Sequence, residues 1–79
     1  MTTTADLRLA AIQARQKHED AAERWTLLSA GLGDLITFGQ PSADEITERR
    51  DKVRAAAAEA RRLESIAHAA RTRLLGATS

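Results

Sequence analysis

The sequence predicts an all-α fold, two long helices in an antiparallel, coiled-coil-like hairpin, and three observations carry that prediction. Of 79 residues, 17 are Ala and 10 are Arg, while only two are aromatic and one is Pro. Those are helix formers, and a β-sandwich or barrel is not built from them. Apolar residues recur in alternating steps of four and three along two long stretches, the spacing that keeps a stripe on one helical face. Between the stretches, Gly31, Gly33, Gly39 and Pro41 concentrate the chain's breakers.

Helix 1 is expected over about residues 4–30. Thr3 followed by Asp6 makes a capping box: a hydroxyl accepts an orphan amide while a carboxylate sits at the positive helix end. From there Leu7, Ala11, Ala14, His18, Ala21, Trp25, Leu28, Leu32 and Leu35 form one seam. Because each glycine costs ~1 kcal/mol in a helix interior, the helix is expected to end near Ala30. Residues 31–41 then form a connection of about ten residues. Water-exposed loops rarely carry Leu32, Leu35, Ile36 and Phe38 together, so this one is expected either to fold back over Trp25 or to insert as a knob into a partner groove.

Helix 2 is expected over about residues 43–75. Ser42 caps it, Glu45 returns the capping box, and Asp44 adds charge to the first turn. Its seam is Ile46, Arg49, Val53, Ala56, Ala60, Leu63, Ala67, Ala70 and Leu74, and Gly76 marks its end. Glu45 with Arg49 and Glu48 with Lys52 stand four apart, the spacing of favourable ion pairs.

Paired antiparallel, the seams place large side chains toward the ends and alanines in the middle, where the backbones can approach closely. Only nine of the eighteen seam positions are both apolar and larger than Ala. A two-helix hairpin has no second face to bury, and a chain this small encloses little surface. The sequence therefore predicts a hairpin that completes a helix bundle by association, with itself or on a larger assembly. Leu9 and Ile12 lie far around helix 1 from its seam, and Ile66 and Leu75 widen the apolar face of helix 2. With Leu35, Ile36 and Phe38 they are the candidate partner-binding residues.

Composition excludes several chemistries. Without Cys there is no disulfide framework, thiolate nucleophile or Cys-based metal site. The four serines, Ser29, Ser42, Ser65 and Ser79, have no His in a nucleophile-and-base arrangement, and no phosphate-cradling Gly-rich run is present. Glu-x-x-His repeats for a two-metal bundle site are missing. His18 and His68 invite a shared metal, but the expected register sets them ~15 Å apart at 1.5 Å per residue. The sequence thus predicts no catalytic residues, no cofactor, no metal and no enzyme.

Twelve basic against eleven acidic side chains leave a formal charge of +1, so any attraction to nucleic acid is local. The local candidate is the Arg face of helix 2: Arg50, Arg54 and Arg61 with His68, flanked by Arg62, Arg71 and Arg73. Interleaved Glu48, Asp51, Glu59 and Glu64, and the lack of aromatic platforms, weigh against it. Arg in place of Lys is also what a GC-rich genome writes. No run of about 18 apolar residues is present, and Met1-Thr-Thr-Thr-Ala-Asp lacks the regions of a signal peptide. The expected compartment is the cytoplasm or a particle assembled inside the cell.

The function expected is a non-enzymatic interaction or assembly subunit, such as a viral particle component. A nucleic-acid-binding accessory protein using the Arg face comes second. A small inhibitor or antitoxin-like regulator of one target protein comes third.

Overall fold

The computed structural model describes residues 3–78; Met1, Thr2 and Ser79 lie outside the described residues. Two helices, α1 (Thr4–Phe38) and α2 (Ala43–Thr78), pack against each other along their whole length. The result is a rod of 56 × 17 × 16 Å, whose long dimension is the length of one such helix at 1.5 Å per residue.

Helix α1 starts where the capping box places it. Thr3 Oγ1 accepts from the Asp6 N–H at 3.1 Å, and Asp6 Oδ2 accepts from the Thr3 N–H at 3.3 Å. Its end corrects the expectation. Residues 31–38 are helix, and the connection is only Gly39 to Ser42. Gly31 and Gly33 weaken the helix locally, but Leu28, Leu32 and Leu35 continue the seam through them and lie half-buried. Burial of those leucines outweighs the propensity loss.

The chain stops being helical at Gly39, whose φ of −97° and ψ of 178° are extended. Pro41 then restricts Gln40 to extended backbone and ends any continuation. Helix α2 begins with the Ser42 hydroxyl accepting from the Glu45 N–H at 3.2 Å. It runs through Gly76 rather than ending there. Lys52 and Glu48 pair at 3.6 Å, whereas Glu45 and Arg49 form no ion pair among the described residues. The mid-helix threonines Thr26, Thr47 and Thr72 each donate a hydroxyl to the carbonyl four residues back, which satisfies them within the helix.

The seams meet as the heptad steps require, with two exceptions. Ala14, Ala56 and Ala60 are buried, and among the described residues no larger side chain is fully buried. Arg49 is exposed, as a long charged side chain is when its stem, and not its head, borders apolar surface. Trp25 is 43% exposed. With a turn centred between Phe38 and Ala43, Trp25 comes level with about Ala56, where the helices are held close by small side chains. An indole does not fit there and lies outward.

The glycines give opposite expectations. A Cβ built on Gly31 or Gly33 meets nothing within 4 Å, while one on Gly39 falls 2.6 Å from the Leu35 carbonyl oxygen. Gly31→Ala and Gly33→Ala should each stabilise by about 0.5–1 kcal/mol, raising Tm by several degrees for a chain this size. Gly39→Ala should lower it. Thermal melts followed by circular dichroism check both signs.

Candidate interaction surfaces

Grooves run along the rod on either side of the seam. The first, of about 900 Å³, lies toward the open end, where α1 begins and α2 finishes. Its lining includes Arg8, Arg15, Arg61 and Arg71, with Glu64 the one carboxylate among its residues. Ala11, Ile12, Ala67 and Leu74 supply its apolar surface. It therefore joins an apolar strip to a basic rim. Arg15 is partly neutralised by Glu19, four residues on, at 3.0 Å.

The second groove, of about 640 Å³, carries mixed charge: Lys17, Arg24 and Arg62 beside Asp20 and Glu59. Leu63 and Ile66 lie within it. Arg62 donates two hydrogen bonds to Glu59, at 2.6 and 3.1 Å. That hydrogen bonding, with the positive charges of Arg62 and of Arg24 on the other helix, holds the Glu59 carboxyl below the usual carboxylate range. The same pairing raises the Arg62 guanidinium.

Of the candidate partner-binding residues, Leu9, Ile12, Ile36, Phe38, Ile66 and Leu75 are exposed, Phe38 at 84%. Leu35 is half-buried on the seam, and its carbonyl accepts the Gly39 N–H at 2.9 Å. The expected loop knob is thus the last turn of α1. Leu35 faces inward and Phe38 outward.

Leu27, 66% exposed, was not among the candidates, although its spacing could have revealed it. Eighteen residues make five helical turns, so Leu27 stands directly along α1 from Leu9, and Phe38 lies ~20° off the same line at 100° per residue. Gln16, Asp20 and Asp34 separate these apolar residues along the outer face.

The arginines of α2 do not share one surface. Arg61 and Arg71 line the first groove together with His68, whereas Arg62 lines the second. At 100° per residue, Arg50 and Arg54 lie on the side of Arg61, and Arg73 on that of Arg62. All six are exposed.

The histidine geometry also needs correction. The four-residue turn brings His18 level with about Leu63, so His68 is displaced from it along the rod by only ~8 Å rather than ~15 Å. Both line the first groove. Among the described residues, no three His, Cys, Asp or Glu side chains form a group that could hold a metal ion. No described helix is long and apolar enough to cross a membrane.

Comparison with protein-family models, with curated proteins and with solved structures gives no match to this chain.

The Glu59–Arg62 pair has a measurable sign. A carboxylate whose folded pKa is depressed contributes stability above its unfolded pKa and loses that contribution as pH falls through the folded value. In an NMR titration, Glu59 should titrate below an ordinary Glu and move back up toward it in Arg62→Gln.

Proposed function

We propose that this hairpin is a non-enzymatic interaction or assembly subunit that completes its core by association, with itself or on a larger complex. One observation carries the reading. Among the described residues the core consists of three alanines, while Leu9, Ile12, Leu27 and Phe38 are all more than half exposed. The accessible surface supports it: 6256 Å², against about 4,700 Å² for a compact monomer of this mass. A surface that large leaves apolar area for a partner to cover. In this reading the subunit works in the cytoplasm or within a particle assembled there, without cofactor or catalysis.

Sedimentation equilibrium at micromolar concentration should show a dimer or larger species. The association should persist in ~0.5 M salt, where attraction between exposed charges is screened, and should be lost in Leu27→Asp with Phe38→Asp. A monomer that melts cooperatively, and that captures no protein through these residues, would refute the proposal.

The first groove supports a second reading, nucleic-acid binding, because four arginines converge there from both helices. That reading expects binding to duplex or single-stranded DNA, with a steep salt dependence that flattens in Arg54→Glu with Arg61→Glu. Fluorescence anisotropy at two salt concentrations decides it. Regulation of a single target protein is a third use of the same exposed surface.

A further inference from the structure

Residues seven apart hold one position relative to the facing helix, so each groove side can be followed along the whole rod. Arg54 stands seven residues before Arg61, and Arg50 stands twenty-one before Arg71; both of those later residues line the first groove. Arg8, Arg15, Arg50, Arg54, Arg61 and Arg71 therefore share one side, and the carboxylates placed with them by the same spacing are Glu19 and Glu64. Glu19 pairs with Arg15. Among the described residues the other five arginines make no ion pair. The second-groove side is mixed: Asp6, Asp34, Glu45 and Glu48 join Asp20 and Glu59 there and offset its Lys and Arg. Glu23, Asp44 and Asp51 stand opposite the seam, on neither side, at 100° per residue. One long side of the rod is basic, and the other is near neutral.

Trp25 belongs to the basic side. It follows His18 by seven residues and Ala11 by fourteen, and both of those line the first groove. The residues around it on this side are small: Ala22, Ser29 and, on the other helix, Ala57, each half-buried. Trp25 itself is 43% exposed. Its level on the rod falls between Arg54 and Arg61, ~3 Å from the first and ~8 Å from the second at 1.5 Å per residue. An open indole thus interrupts a row of guanidinium groups that runs ~35 Å, from the level of Arg8 to that of Arg50.

That combination selects among polyanions. Guanidinium groups alone track phosphates of any kind, whereas an aromatic platform set among them adds a surface on which a base can stack. A duplex supplies phosphates too, but its bases are stacked on one another and present no free face to the indole. Aromatic residues are few in this chain, yet this one stands in the middle of the basic row.

We propose that the basic side binds single-stranded nucleic acid, with one base stacked on Trp25 and the flanking phosphates held by Arg54 and Arg61. Arg50 continues the path of the backbone toward the turn end, and Arg8, Arg15 and Arg71 continue it toward the open end. This rests on the nucleic-acid reading above and adds the form of the ligand and the residue that selects it. Leu27, Phe38 and Ile66 lie on the second-groove side by the same spacing, which leaves them to association.

Trp25 is the single Trp of a chain without Tyr, so intrinsic fluorescence reports on the platform directly. At low salt, oligo(dT) of about 16 nucleotides, the upper end of site sizes for such grooves, should quench the indole. It should bind about 5- to 100-fold tighter than an abasic deoxyribose-phosphate oligomer of equal length, the gain expected from one stacked base. Trp25→Leu keeps an apolar side chain at the seam and should abolish that preference, with the salt slope unchanged because the phosphate contacts remain. Trp25→Phe should recover part of it.

Equal affinity for the two oligomers, with the indole unquenched, overturns the proposal and leaves phosphate binding by the arginines standing. Equal quenching by a duplex of the same length overturns it as well, since no free base face is then needed. So does an undiminished preference for oligo(dT) in Trp25→Leu that is helical by circular dichroism. Absence of binding to all three ligands at low salt removes the nucleic-acid reading too. A blue shift of the indole emission with phosphatidylserine vesicles, where oligo(dT) changes nothing, assigns this side to an anionic membrane instead.

Discussion

Three alanines govern this molecule. Ala14, Ala56 and Ala60 are the buried residues among those described, and their small size lets two helices of more than thirty residues each lie close along a narrow line. Close approach makes the contact continuous, but it also leaves no volume in which a large side chain can be enclosed. Leu7, Leu28, Leu32 and Leu74 are only half-buried. Trp25 is displaced outward at the level of Ala56. The rod's excess surface follows from the thinness of that seam.

What remains outside the seam is organised. Apolar side chains are distributed on the outer face of α1 and along the groove edges, while the charged residues of the turn end are acidic and those of the open end mostly basic. The turn end mixes carboxylates with Leu27, Ile36 and Phe38. The open end gathers arginines from both helices around a groove whose surface is partly apolar. Neither helix alone makes that groove, because Arg8 and Arg15 belong to α1 and Arg61 and Arg71 to α2. Arginine suits such a place, since its stem covers apolar surface while the guanidinium stays in water.

Much of the hairpin was legible in the residues. The capping box at Thr3 and Asp6 and the Ser42 cap were readable as local chemistry, and the alternating spacing of apolar residues marked most of both seams. The connection was misread, because glycine propensity was weighed without the leucines that continue the seam beyond Gly31 and Gly33. Shortening the connection shifts the register, which moves His18 and His68 into one groove. Leu27 escaped notice because polar residues separate it from Leu9 and Phe38 along its line. The Arg candidates of α2 were legible as one face of a helix, yet their division between two grooves depends on where α1 lies.

The sequence by itself determined that this chain makes two long helices with small, facing seams, because periodicity, caps and alanine content are properties of neighbouring residues. Only the tertiary structure decided where the turn falls, which side chains stand level across the seam, and which arginines share a groove. Those depend on the register between segments far apart in the chain, and register is set by burial summed over the whole contact rather than by any local preference.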